Sequence, residues 1–315
     1  MPKVTVVIPT YNRSHLLKAA ILSVLNQTYQ DFEIIVVDDA STDDTSEVVA
    51  GLDEQRIKYT HHEVNQGEAG TRNSGILSAR SKYIAFLDDD DEWLPQKLEM
   101  QVEKTVTSTK RTGLIYTGLI ICRYVENKLI KEFQNIPVHK GNIYHLLKNR
   151  NFIVTPSSVF IKTECVEKVG LFDTEIAYGL VYDYWIRISK HFDIDYLAET
   201  LVKYRVHENR LSSDNELRAQ GGRDLAKKYG NQILSEYWRD IYFPLGVERC
   251  HKGEMIKGIN ALLRSIWHRP KHIKGYIYLW VALFGHGNFK RAIMCKTMLL
   301  AKLRRKKNNT TNILK

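Results

Sequence analysis

The sequence predicts an α/β fold with a largely parallel sheet, and three observations carry that expectation. Short Val/Ile-rich runs alternate with helix-period segments through the first half, as βαβ units require. An acidic run, Asp88-Asp89-Asp90-Asp91, follows the fourth apolar run, at the strand end where open α/β sheets bind ligands. From about Asp214 the pattern turns almost wholly helical.

Taken in order, Val4–Ile8 reads as a buried strand, and Ser14–Gln27 as a helix opened by an N-capping Ser14. Phe32–Val37 is a second strand ending on Asp38-Asp39, and Ser41 to Asp44 supply caps for a helix through Val49. Ile57–Thr60 is a third strand, and Gly67–Ala79 a loop running into a helix. Tyr83–Leu87 is the fourth strand, with a helix expected from Pro95. Leu114–Tyr124 and Lys128–Phe133 predict a hairpin around Glu126-Asn127. Ser157–Ile161, Asp195–Leu197 and Leu201–Val206 add strands, with a helix over Tyr182–His191. These segments divide the chain into residues 1–213, with halves 1–110 and 111–213, and a helical region 214–315.

Composition bounds the class. The chain has 315 residues, 43% hydrophobic and 26% charged, enough for a packed core. Its 4 cysteines are far apart, which argues against a disulfide scaffold or a thiolate zinc site. No signal-peptide h-region follows Met1, and no apolar run reaches bilayer-spanning length, so a cytoplasmic location is expected. The net charge of +10 is uneven: Met255 to Lys315 holds 14 Lys and Arg and no Asp or Glu, leaving −4 on residues 1–254. Such a tail predicts an anionic membrane surface as partner, through Lys302–Lys307 and the apolar Ile277–Phe284, on the inner face of the cell membrane. The basic stretch is short and lacks interleaved aromatics, so nucleic acid is not expected. A weak repeat offsets Gly253 and Gly287 by 34 residues, a helical-hairpin period, with Pro270 expected at the end of the first hairpin.

Four adjacent carboxylates repel one another unless a cation or solvent relieves them. Asp88 and Asp90 can offer two oxygens to one hard divalent ion, Mn²⁺ or Mg²⁺, and the plain alternative is a solvated turn capping the next helix. The loop after the first strand, Pro9-Thr10-Tyr11-Asn12, is no G-x-G-x-x-G turn, and no P-loop occurs, which excludes dinucleotide-binding and P-loop classes.

Val6 to Arg13, Val36 to Ser41, Gly70-Thr71-Arg72-Asn73 and Phe86 to Pro95 together resemble successive landmarks of the family 2 inverting glycosyltransferases over residues 1–213. The resemblance implies a GT-A fold, a Rossmann-like central mixed sheet flanked by helices, here with a C-terminal helical appendage. It implies transfer of a sugar from a nucleotide-sugar, with UDP favoured, to a glycan or lipid-linked glycan acceptor in surface polysaccharide biosynthesis. Residues 1–110 would bind the nucleotide and residues 111–213 the acceptor. Pro9, Thr10, Tyr11 and Arg13 would line the base and ribose, and Asp39 would accept the uracil N–H. Arg72 would lie near base and phosphates, Asp88 and Asp89 on the nucleotide-sugar, and Asp90, Asp88 and His207 on the metal. Asp91 is left without a role. Arg205 and His207 match a late motif that reaches the diphosphate or metal, and Thr155 to Ser158 the acceptor-side floor. An inverting transfer needs a base for the acceptor hydroxyl, and the segment Val181–Arg187 nominates Asp183, with Tyr182 departing from the usual polar residue before it. Two other readings compete: an inactive sugar-nucleotide or partner-binding module, and a sugar nucleotidyltransferase.

Overall fold

A computed structural model describes residues 2–126, 128–207, 210–230, 235–268 and 270–295. The chain divides into two compact units, Met1–Ser213 and Asp214–Lys315.

The first unit is built on one mixed sheet. Its strands are β1 (Val4–Thr10), β2 (Phe32–Asp38), β3 (Ile57–His61), β4 (Tyr83–Phe86), β5 (Glu92–Trp93), β6 (Thr112–Val125), β7 (Lys128–Asn135), β8 (Val159–Lys162) and β9 (Asp193–Val206). The spatial order is β3-β2-β1-β4-β8-β6-β9-β5, with β7 also paired to β6. Strands β1 to β4 pair in parallel, because each is followed by a helical crossover: α1 (Ser14–Leu25), α2 (Thr45–Ala50) and α3 (Gly67–Ser78). β1 and β2 are buried on both faces, which explains their continuous Val/Ile texture. Val6 and Ile8 join Leu17, Ile21 and Val24 of α1 in one core cluster. Val7, pointing the other way, meets α3 so closely that a Cβ on Gly75 would lie 2.3 Å from its Cγ1.

β8 runs antiparallel to both β4 and β6, so its first residue lies at the carboxyl end of β4. β9 is parallel to β6 and continuous from Asp193 to Val206, merging the two strands expected there; register shifts opposite Thr117 to Leu119 account for the break in its pattern. Ser157 belongs to a 3₁₀ turn, Pro156–Ser158, and the strand starts only at Val159. Three further elements are α5 (Tyr144–Leu147), α6 (Thr163–Val169) and α7 (Leu180–His191).

Two helix starts differ from expectation. Ser14 is the first helical residue of α1, not its cap, and its hydroxyl donates to the Asp44 carboxylate. The helix after the acidic run, α4, covers Lys97–Thr107, with Pro95 in the approach to it.

The second unit contains α8 (Asn215–Tyr229), α9 (Ser235–His251), α10 (Met255–His268), α11 (Ile273–Leu283) and a helical run over 286–295. Asp214 caps α8 by accepting from the N–H groups of Glu216 and Leu217, at 2.9 and 3.0 Å. α9 and α10 pack closely at two glycines: a Cβ on Gly258 would fall 2.3 Å from Cys250 Sγ, and one on Gly246 2.8 Å from Leu262 Cγ. Pro270 lies in the turn between α10 and α11, inside the hairpin it was expected to end. The return helix of a second repeat, with Lys296 and Lys302–Lys307, falls outside the described residues.

Candidate active site

Ligand-side chemistry gathers at the carboxyl ends of β1, β2 and β4. Two crossover loops there are stitched together by short polar bonds. Asp39 N–H donates to Thr10 O at 2.9 Å, Asn12 N–H to Ser41 Oγ at 2.8 Å, and Thr42 N–H to Asn12 Oδ1 at 2.8 Å. Asn12 and Ala40 both hold positive φ, 51° and 66°, a region that costs a non-glycine residue energy unless the surroundings impose it. Tyr11 projects from this loop with 48% of its surface exposed.

Asp39 is buried and already busy. Its carboxylate accepts from the N–H groups of Gln66 and Gly67, each at 2.8 Å, and pairs with buried His62 at 2.8 Å. It therefore caps the approach to α3, a helix distant in sequence. Of its roughly four lone-pair positions, three are engaged by those bonds.

The acidic run does not point one way. Asp89 turns toward β1: Thr10 Oγ1 donates to it at 2.9 Å and Arg13 at 3.0 Å. Burial pushes the Asp89 carboxyl up, to about 7, against the pull of Arg13. Carboxylate oxygens of Asp88, Asp90 and Asp91 converge instead, all within 4.8 Å of one another. Sequence reasoning left Asp91 unassigned, since a run of identical residues hides which side each faces. Asp91 is the best buried of the three. It accepts from Ser157 Oγ at 2.6 Å and from Arg205 N–H at 3.0 Å. Burial and the charges of Asp90 and Asp88 raise its pKa well above the usual range. Asp88 is also raised by burial, opposed by Arg72. Asp90 is lowered: burial opposes this, but the His207 hydrogen bond and nearby Arg13 outweigh it.

Arg72 is buried, forking between Glu68, at 2.7 Å, and Asp88, while its Nε has no hydrogen-bond partner among the described residues. His207 Nε2 lies 3.0 Å from Asp90 Oδ2, and an ionised carboxylate only accepts, so in this arrangement that nitrogen donates. His207 thus contacts Asp90, one of the converging trio, from outside it. Arg205 contributes its backbone to Asp91, while its side chain turns to Glu92 and stacks over Tyr124.

Support comes from below. Thr155 Oγ1 donates to Asp88 at 3.2 Å and to Asp91 at 3.3 Å, so the segment expected to floor the acceptor side also floors the acidic turn. Trp93 Nε1 donates to Ser157 O at 2.8 Å, and Gln101 to Ser158 O at 3.1 Å. Lys97 is fully buried, its ammonium 2.8 Å from Gln101 and 3.7 Å above the Trp93 ring; burial lowers its pKa well below the usual value.

Asp183, the expected base, lies in α7, apart from the acidic turn. It is the fourth residue of α7 and has no solvent exposure, and its carboxylate accepts from Arg187 Nε at 2.7 Å, one turn on. Arg187 also donates to the carbonyls of Val169 and Leu171, at 2.6 and 2.9 Å. The residues ahead of Asp183 in α7, Leu180, Val181 and Tyr182, carry no carboxyl.

A second opening lies on the same end of the sheet. Along one edge of β6 the neighbour changes from β8, opposite Leu114 to Tyr116, to β7, from Leu119 onward. The fork holds a partly open pocket of about 160 Å³ lined by Tyr116, Asn135, His139, Arg150, Phe152 and Ser158, among others. Ser158 directly follows Ser157, which holds the acidic turn.

A parallel sheet with a carboxylate trio and arginines at its ligand end, continued by a mixed half, defines a GT-A-type transferase. Solved structures agree on the fold: S. aureus TarS 1-349 in complex with UDP-GlcNAc superposes with a TM-score of 0.60 at 18% identity, covering 91% of this chain and 89% of that one. The model of the family "Glycosyl transferase family 2" matches residues 5–169. An Escherichia coli protein, UDP-Glc:alpha-D-GlcNAc-diphosphoundecaprenol beta-1,3-glucosyltransferase WfgD, is 31% identical over 252 residues, 78% of this chain and 94% of that protein. The Campylobacter jejuni GalNAc(5)-diNAcBac-PP-undecaprenol beta-1,3-glucosyltransferase is 34% identical over 214 residues, 65% of each. The chain belongs to glycosyl transferase family 2. It spans 30% to 64% of the length of several other curated relatives that it matches.

Proposed function

We propose that this chain is a metal-dependent inverting glycosyltransferase that moves a sugar from a UDP-sugar to a lipid-linked glycan in surface polysaccharide synthesis. The observation that carries this reading is the convergence of Asp88, Asp90 and Asp91 beside Arg13 and Arg72. Three carboxylates at this spacing suit an oxygen-preferring divalent cation, Mn²⁺ or Mg²⁺, and the burial and mutual charge that raise Asp88 and Asp91 are what such an ion would offset. When bound, the ion supplies charge stabilisation for a leaving nucleoside diphosphate. Arg72, with its unpartnered Nε, and Arg13 add fixed positive charge to the same place. In this reading the exposed Tyr11 stacks on the base, and Pro9 and Thr10 shape the loop beneath it. Asp39, the residue expected to read the uracil N–H, keeps one free acceptor position for that contact.

The acceptor is assigned to the fork pocket. Its rings, Tyr116 and Phe152, and its polar groups, Asn135 and Arg150, suit a sugar's apolar face and hydroxyls. Relatives whose printed activities use diphosphoundecaprenol-linked glycans support a lipid-linked acceptor at an anionic membrane surface reached through the basic C-terminus. No helix among the described residues is long and apolar enough to cross a membrane, and the attachment proposed is peripheral, on the inner face.

The test is incubation with UDP-glucose or UDP-GlcNAc, Mn²⁺ and a diphosphoundecaprenol-linked sugar, reading the elongated lipid by mass spectrometry. An added hexose or N-acetylhexosamine supports the reading. Tight Mn²⁺-dependent UDP binding with no product from any UDP-, GDP- or dTDP-sugar would instead identify a binding module.

A further inference from the structure

The helix α11 is apolar on the wrong side. Gly275 and Ala282 are buried, and half-buried Tyr278 and Leu279 pack into the core of the second unit with Cys250, Leu262 and Phe289. On the opposite face, Ile273, Tyr276, Ile277, Trp280, Leu283 and Phe284 are each 48% to 73% exposed. At the period of 3.6 residues per turn these positions form one continuous stripe roughly 120° wide. Trp280 and Phe284 pack their rings edge to face at 4.7 Å, a surface knob of two aromatics. Trp267, in the last turn of α10 just before the same inter-helix turn, is 84% exposed. A soluble helix face usually carries one such residue, not a row of them.

Charge identifies what covers it. Lys271 and Lys274 are exposed at the same end of α11, and no Asp or Glu follows Glu254 anywhere in the chain. Pairing two copies of this face would bring like charges together with nothing to offset them. An acidic lipid surface meets both demands, taking the rings at headgroup depth and the lysines against phosphates. We propose that the α10–α11 hairpin inserts this aromatic face into the interfacial layer of an anionic bilayer. This deepens the membrane part of the proposed function and does not depend on sugar transfer. It assigns the anchoring to a folded apolar face, with the Lys302–Lys307 stretch as an electrostatic aid.

Co-sedimentation with phosphatidylcholine vesicles, with and without phosphatidylglycerol, tests this together with quenching of tryptophan emission by acyl-chain-brominated lipid. The parent protein should bind the anionic vesicles and be quenched. Ile277→Ser/Trp280→Ser, which alters only exposed side chains, should lose about tenfold or more in vesicle affinity, with its circular dichroism and its Mn²⁺-dependent UDP binding unchanged. Lys271→Gln/Lys274→Gln should weaken binding and flatten its salt dependence. Binding that is unchanged in Ile277→Ser/Trp280→Ser, binding without quenching, or a dimer in the parent that the serine variant abolishes would each overturn the proposal. Since UDP binding is read without vesicles, failure here leaves the transferase reading standing, and absent UDP binding with intact vesicle insertion does the reverse.

Discussion

Replacing Asp183 with asparagine separates a structural carboxylate from a catalytic one. The Asp183 carboxylate has no exposure and pairs with Arg187, whose side chain is 19% exposed and also anchored to Val169 O and Leu171 O. Removing one partner of a buried ion pair costs about 3–5 kcal/mol, and partial solvation of Arg187 reduces this to roughly 2–4 kcal/mol. For a unit of this size each kcal/mol moves the melting temperature by about 2–4 °C, so Asp183→Asn should melt roughly 5–12 °C lower. Arg187→Met should be destabilised likewise, and the double variant should lose clearly less than the sum of the two. Thermal unfolding followed by circular dichroism gives these numbers, and UDP release from a UDP-sugar at a temperature where all variants are folded gives the activity. If Asp183→Asn melts within a degree or so of the parent while turnover falls by two or more orders of magnitude, Asp183 is the base and the structural assignment is wrong.

Three other outcomes follow from the site. Asp88, Asp89 and Asp91 have pKa values raised in the folded state, so the native protein holds protons that the unfolded chain releases near pH 4. Their contribution to stability is present below that range and is lost as pH rises through the folded values, about 7 for Asp89. In EDTA the melting temperature should therefore fall between roughly pH 5 and 8, and Mn²⁺ should reverse the trend; a flat profile in EDTA would contradict the burial of this cluster. Ser157→Ala removes the hydroxyl that holds Asp91 and receives Asp88 N–H, and should weaken Mn²⁺-dependent UDP binding by about 10–100-fold with little change in melting. Gly75→Val drives its side chain into Val7, 2.3 Å from where the new Cβ would sit, and overpacking of about 1–3 kcal/mol should lower the melting temperature by roughly 3–10 °C.

The nucleotide half was readable because its physics is local. Doubly buried β1 and β2 show as unbroken Val/Ile runs, and the loops after β1, β2 and β4 carry short motifs whose residues do meet in space. The acidic run was legible as a site but not in its parts. Backbone turning after β4 sends Asp89 to Thr10 and Arg13 and the other three carboxylates together, and four identical letters cannot encode that. Asp183 is ambiguous in sequence for a related reason: a carboxyl in the first turn of a helix reads the same whether it faces a substrate or an arginine four residues on. The continuity of β9 and the two-residue β5 were missed because their pairings are with strands far away in sequence, and the register shifts at Thr117 and Gly118 leave no period to detect. Lys97 was invisible as a support because a lysine within a helix reads as solvated surface; here Trp93 and Gln101 enclose it.

The central claim is that Asp88, Asp90 and Asp91 together hold a divalent cation for a nucleoside diphosphate. Isothermal titration of UDP into the protein, with Mn²⁺ and with EDTA, tests it most directly when repeated on Asp90→Asn and Asp91→Asn. UDP binding should require Mn²⁺ and weaken at least about tenfold in both variants, Asp91 included. UDP binding of equal strength in EDTA, or an Asp91→Asn variant that binds as the parent does, would contradict it.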